Sequence, residues 1–233
     1  MLDLTPAVAP NRLAGRATGP VSAMRRRGLL RMVLLGVAAA GAPLALAESR
    51  RRPTPEQMRG PFYPPVKPLD VDADLTTIAG HTLHAQGEIV RIQGRVLDVD
   101  GRPRPDATME IWQANAAGRY RHPDDDNPAP LDPEFDGYAV VRTDAQGAWS
   151  MTTIKPGAYR FGPDSWRAPH VHFDIRAGRS RLVTQLYFPD DARNADDVLL
   201  ADCPDPAALI ARPLARTERA AGTTQTFGWD IVL

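Results

Sequence analysis

The stretch Ile89-Val90-Arg91-Ile92-Gln93-Gly94-Arg95-Val96-Leu97 alternates apolar and polar residues and runs into Asp98-Val99-Asp100-Gly101, a turn sequence. Side chains on a strand point to opposite faces in turn, so this pattern predicts a strand with one face in a core. Similar short runs recur outward from it, at 107–112, 137–142, 148–154, 171–175, 182–188 and 228–233, with a turn at Asp144-Ala145-Gln146-Gly147. Only 207–211 reads as a short helix. The chain has 23 Pro and 18 Gly among 233 residues, which supply the many turns that a small all-β domain needs. The prediction is a β-sandwich of mainly antiparallel strands over residues 48–233. Two long segments inside it, 119–136 and 155–169, are expected to be ordered loops that carry function.

The hydrophobic fraction of 43% and charged fraction of 24% are those of a water-soluble globular protein. Basic and acidic residues balance at 28 each, but six Arg and one acid fall in residues 1–47, so the remainder is acidic. No basic stripe survives there, which argues against a nucleic-acid partner. Cys203 is the single cysteine, so there is no intramolecular disulfide and no thiolate-dominated metal site. Residues 1–23 show no periodicity and read as disordered or as a mis-assigned start, with Met24 the expected true one. Met24-Arg25-Arg26-Arg27-Gly28-Leu29-Leu30-Arg31 then precedes an apolar run ending in Ala45-Leu46-Ala47. A charged region, a short apolar region and a small-residue site in that order predict an export signal over 24–47, cleaved after Ala47. Arg26-Arg27 gives it a twin-arginine character, although the usual Ser or Thr before the pair is missing. The expected destination is periplasmic or extracellular, with membrane contact only during export.

His170-Val171-His172 opens the run 171–175, and strand alternation puts both imidazoles on one face, where they could share a metal. A third ligand is open. Carboxylates are plentiful, but the H-x-D spacing of a two-His-one-carboxylate ferrous site is absent because position 172 is itself His. Tyrosine is the other source, and two of the five end loop motifs, Gly118-Arg119-Tyr120 and Lys155-Pro156-Gly157-Ala158-Tyr159. Taken alone, either tyrosine reads equally as a half-buried aromatic with a bonded hydroxyl.

Several blocks then fall into a known order. Gly60-Pro61-Phe62-Tyr63-Pro64, Glu110 through His122, Leu131-Asp132-Pro133, Thr153-Ile154-Lys155-Pro156-Gly157, Trp166 through Phe173, Thr184 through Phe188 and the closing Asp230-Ile231-Val232-Leu233 resemble the intradiol ring-cleavage dioxygenases. The likeness runs from about Gly60 to Leu233 and is nearest the iron-bearing beta subunit of protocatechuate 3,4-dioxygenase. It implies Fe(3+) held by Tyr120, Tyr159, His170 and His172, with a small aromatic diol and O2 as substrates. The diol would bind through both oxygens and displace Tyr159, which takes a proton, and the ring would open to a muconate-type diacid. The resemblance gives Arg167 an electrostatic role beside the substrate and Gln185 a supporting one behind the iron. Phe161 would pack on the substrate, and Tyr63 would close the pocket. Arg160 is a further candidate, as a clamp for a substrate carboxylate, although the family has no Arg there. Trp112 and Trp149 are assigned to the core, Cys203 to a buried apolar position, and His81, His84 and His122 to structure or surface. Loops shorter than in the protocatechuate subunit leave the ring substituents open. The chain has no room for the helical dimer domain of catechol dioxygenases, so a self-contained protein, free to form a homo-oligomer, is expected. Two other readings stand beside this one: a secreted non-catalytic β-sandwich binding module, and a zinc or ferrous enzyme built on the His pair.

Overall fold

A computed structural model of the chain describes residues 50–162, 165–189, 191–219 and 222–233. The start and export-signal expectations, on residues 1–47, lie outside the described residues. The described part is all-β. In chain order its strands are β1 (Ile89–Leu97), β2 (Thr108–Trp112), β3 (Tyr138–Arg142), β4 (Ala148–Ile154), β5 (Tyr159–Arg160), β6 (Trp166–Arg167), β7 (His170–Ala177), β8 (Ser180–Tyr187), β9 (Arg212–Arg219), β10 (Gly222–Gly228) and β11 (Ile231–Val232). A one-turn helix, α1 (Val198–Ala201), lies between β8 and β9. No helix among the described residues is long and apolar enough to cross a membrane.

Two sheets face each other. One carries β11, β1, β10 and β9, with β4 on the other edge of β1; the second runs β3-β2-β7-β8. The alternation that opened the reading delivers Val90, Ile92 and Val96 to the interior, where they meet Met109, Ile111, Val141, Phe173, Ile175 and Leu186 from the second sheet. Trp149 and Trp229 both pack on Phe173, at ring distances of 5.5 and 5.1 Å, and so tie one sheet to the other. Each of these large side chains contributes about 2–3 kcal/mol of hydrophobic free energy on burial. Cys203 is buried against the same core.

Three expectations change. The expected strand 228–233 is two pieces, because β1 exchanges partners: its first half pairs in parallel with β10, its end with β11. At the exchange a Cβ on Gly94 would lie 1.8 Å from the Trp229 carbonyl oxygen, so only glycine lets the two backbones approach. The hairpin of β9 and β10 was not expected at all, since β9 is exposed on both faces and has no alternation to read. The expected helix at 207–211 is a single 3-10 turn, Pro206–Leu209.

Candidate active site

The second sheet is covered on both faces. Its inner face is core; its outer face, at the end where β7 begins, carries a second apolar cluster of Trp112, Ala114, Tyr120, Tyr138 and Tyr159. Strand register sets out what lies beneath it. Trp112 pairs with His172, His172 with Gln185, and His170 with Tyr187, so these side chains share one face. The Nε2 atoms of His170 and His172 are 3.1 Å apart. His170 Nδ1 lies 2.6 Å from the Ala168 carbonyl oxygen, which fixes the proton on Nδ1 and leaves Nε2 with its lone pair. The indole of Trp112 stacks flat on His172 at 4.8 Å and 4°.

Loops bring in the tyrosines. Asn115, three residues beyond the end of β2, organises both of them. Its side-chain oxygen accepts from the Ala117 and Arg119 backbone N–H groups, and its carbonyl accepts from Gly118 N and Gly157 N. The Tyr120 loop and the Tyr159 loop therefore touch through backbone. The Asp125 carboxylate accepts from Tyr120 N at 2.7 Å and fixes the far side of the first loop. Segment 155–169, expected to be an ordered loop, contains the small hairpin of β5 and β6, in which Tyr159 pairs with Arg167. The Tyr120 and Tyr159 rings meet edge to face at 5.6 Å; Tyr159 is 5.6 Å from the His170 ring, and the Tyr120 hydroxyl is 3.4 Å from His170 Nε2. The two tyrosines and two histidines of the sequence reading thus converge.

All four are buried, and burial dominates their titration. It pushes the Tyr120 hydroxyl well above its usual value, with Tyr159 adding to the effect and Arg167 opposing it; Tyr159 is raised too. Burial, with help from Arg167, holds both imidazoles well below 6.5, so they are neutral. Arg167 keeps its charge against burial because Tyr159, Tyr187 and Asp197 favour it. Its Nε donates to Asp197 at 2.9 Å, and its Nη2 donates to Gln185 Oε1 and to the Tyr187 hydroxyl. Among the described residues no three of His, Cys, Asp and Glu gather as a metal site, so the His pair gains no carboxylate partner.

Residues 58–233 match a family model described as Dioxygenase. Over 191 residues the chain is 42% identical to the protocatechuate 3,4-dioxygenase beta chain of Burkholderia cepacia, covering 78% of this chain and 80% of that one. This chain belongs to the intradiol ring-cleavage dioxygenases. It is 31% identical to catechol 1,2-dioxygenase 2 of Acinetobacter lwoffii over 64% of its own length and 56% of that protein's. Among solved structures, the dioxygenase domain of a dioxygenase–carbohydrate-binding fusion from Streptomyces sp. SirexAA-E superposes with a TM-score of 0.57 at 29% identity, covering 78% of this chain and 98% of that one.

The remaining expected residues of this dioxygenase spread out. Gln185 lies directly behind Arg167 and also donates to the Met58 carbonyl at 2.8 Å. Phe161 is 42% exposed at the tip of the β5–β6 hairpin, and no aromatic ring among the described residues packs on it. Tyr63 meets the edge of Trp112 at 5.0 Å and bonds to Glu110 through its hydroxyl, one ring removed from the histidines. Its neighbour Phe62 is the arm residue at the site, 4.9 Å from Tyr120 and 6.2 Å from Tyr159. The arm comes close enough that a Cβ on Gly60, at φ +72°, would stand 3.2 Å from His172 Cε1. Arg160 follows Tyr159 in the strand and so faces the other way, with its guanidinium 5.7 Å from the Trp166 ring. Sequence reasoning missed Phe62, Asp197 and Tyr187, and placed Trp112 only in the core. For Trp112 a signal existed: once β2 is paired beside the His-x-His strand, the last residue of its outward-facing set lands on the second histidine.

Proposed function

We propose that Tyr120, Tyr159, His170 and His172 hold ferric iron, and that the protein opens a catechol-type ring between its two hydroxylated carbons to give a muconate-type diacid. The observation that carries this is the facing pair of Nε2 atoms, 3.1 Å apart, buried and held neutral beside two phenols. The proton on His170 Nδ1 leaves its Nε2 a lone pair in a dry pocket, and a cation would take it together with His172 Nε2 and the two phenols. Two phenolic oxygens make the donor set hard, as a trivalent iron prefers. When bound, iron would act as a Lewis acid toward the diol and give phenolate charge-transfer absorption in the visible.

The chain's own groups supply the rest. Tyr159, on a two-residue strand at the edge of the site, is the phenol suited to take a proton from an incoming hydroxyl. The Arg167 cation, locked beside it, stabilises negative charge developing on the substrate. Phe62, Trp112 and Ala168 exclude water, which strengthens that electrostatic effect. The names of the relatives support a 1,2-dihydroxybenzene as substrate without choosing its ring substituents. We also infer export through residues 24–47, which N-terminal sequencing of the secreted protein checks.

The purified protein should be wine-red and should add both atoms of O2 to a catechol without loss of carbon, as product mass reads out. Tyr159→Phe should shift the visible band, and Tyr120→Phe should lower iron retention. A colourless protein loaded with zinc and inert toward catechols would end this reading.

A further inference from the structure

Behind Arg167 sits a carboxylate that the ring-cleavage reading does not use. Asp197 is fully buried, precedes α1, and takes four hydrogen bonds. Its Oδ2 accepts from Arg167 Nε at 2.9 Å and Ala168 N at 2.8 Å; its Oδ1 accepts from Leu199 N at 3.0 Å and Leu200 N at 3.1 Å. Both lone-pair sets are filled, which is what a buried carboxylate needs. One oxygen caps the helix. The other grips the side chain of Arg167 and the backbone two residues before His170.

The contacts close on themselves. From Asp197 they run to Arg167, then through Nη2 to the Tyr187 hydroxyl at 3.0 Å, and from that hydroxyl to Gln57 Oε1 at 3.0 Å. Gln57 Nε2 then donates to the Leu199 carbonyl at 2.8 Å, and Leu199 N returns to Asp197. Two strands, β6 and β8, the arm and α1 thus share one hydrogen-bonded ring. Arg167 uses Nε and Nη2 within it, and among the described residues nothing bonds to Nη1. A guanidinium is planar, so holding two of its nitrogens fixes the direction of the third.

We propose that Asp197 is a positioning residue for ring cleavage: by clamping Nε it sets the plane of Arg167 so that Nη1 is the nitrogen offered to the substrate beside Tyr159. The inference rests on the ring-cleaving reading above. It separates Asp197 from a helix cap, whose removal would affect stability and not the chemical step.

Asp197→Asn is the sharper variant. Its single oxygen can still cap α1, but an amide NH2 then faces two donors, Arg167 Nε–H and Ala168 N–H, and lets go of the guanidinium. Asp197→Ser is the second variant, since a serine hydroxyl remains a good cap and cannot reach both oxygen positions. At equal iron content and equal visible absorbance, either variant should lower kcat toward a catechol about 10- to 100-fold, with KM little changed. In an Arg167→Lys background the same substitution should cost less than about threefold, because the fork it positions is gone. NMR of the metal-free protein supplies a readout independent of turnover: the Arg167 Nε–H should be protected from exchange in the parent and unprotected in both variants. Unchanged kcat in either folded variant, losses that multiply fully in the double variant, or an Nε–H that stays protected would each overturn the proposal. A parent without ring-cleaving activity but with a protected Nε–H would overturn the functional reading and leave the clamp in place.

Discussion

Gly118→Ala should loosen the tyrosine pair from a distance. Gly118 has φ +80°, and a Cβ there would lie 2.4 Å from the Ala158 carbonyl oxygen and 3.3 Å from Tyr159 Cβ. The obstacles are backbone, so no side chain can swing away. Two costs add. The left-handed conformation costs an alanine about 1–2 kcal/mol. Pushing a carbonyl back by most of an ångström in a packed loop costs about 1–3 kcal/mol more. For a domain of this size the sum lowers Tm by roughly 5–15 °C. Gly80 separates the two costs, with φ +84° and nothing within 4 Å of an added Cβ. Gly80→Ala should therefore show the conformational cost alone, roughly 2–6 °C. Calorimetry measures both, and the visible spectrum of iron-loaded Gly118→Ala should shift as Tyr159 is displaced. Equal Tm losses in the two variants, with an unchanged spectrum, would refute the claim that backbone contact sets the spacing of the two phenols.

Trp112→Leu removes the ring stacked on His172 and should destabilise the fold by about 3 kcal/mol, with lower iron occupancy by metal analysis at fixed chelator strength. Acid stability should depend on Asp174: burial raises its carboxyl, but Arg181 and Arg176 outweigh that and hold it below 3.8. A depressed carboxyl contributes stability above its unfolded value and loses it as pH falls through the folded one, so Asp174→Asn should flatten the acid limb of urea midpoints below about pH 4. Iron uptake should release protons. Both phenols are raised by burial and must lose protons to become ligands, so citrate-buffered iron affinity should rise by up to about tenfold per proton per pH unit. A pH-independent affinity would mean that the phenols do not bind the metal as anions.

The sandwich was readable because its inner faces repeat a period of two: Val90 and Ile92, Met109 and Ile111, Phe173 and Ile175 each declare a buried side. The β9–β10 hairpin was not, because Arg212 through Glu218 is exposed with no apolar face. In the site, strand arithmetic gave His170 and His172 a common face, and the loop glycines next to Tyr120 and Tyr159 marked tight turns. The resemblance gave the arm's role to Tyr63 where Phe62 holds the place, since a Pro-rich arm has no period to say which ring turns inward. Asp197 was out of reach for another reason. Its pairing with Arg167 spans 30 positions and depends on where α1 is set down, which no local pattern specifies.

The placement of the candidate site follows from a problem the fold has to solve. A four-stranded sheet with core on one side leaves its other side wet, yet β7 is buried almost throughout. The covering layer is made of the arm and two loops, and its rings, Phe62, Tyr120 and Tyr159, meet a sheet face that offers Trp112, His170, His172 and Gln185. Polar groups sealed beneath such a layer are costly unless they are satisfied. Arg167, Gln185, Tyr187 and Asp197 satisfy one another, and His170 gives its Nδ1 proton to Ala168. For the His170 and His172 Nε2 atoms and the Tyr120 hydroxyl the partners are one another, at 3.1 and 3.4 Å. Among the described residues the Trp112 indole N–H, the Tyr138 hydroxyl and His172 Nδ1 on this face are buried without a hydrogen-bond partner, and the His Nε2 atoms with the phenol oxygens are the group that the proposed cation would complete. A face covered only for stability would have no reason to keep four such atoms together; leucines in the same rows would bury as much surface and carry no desolvation cost.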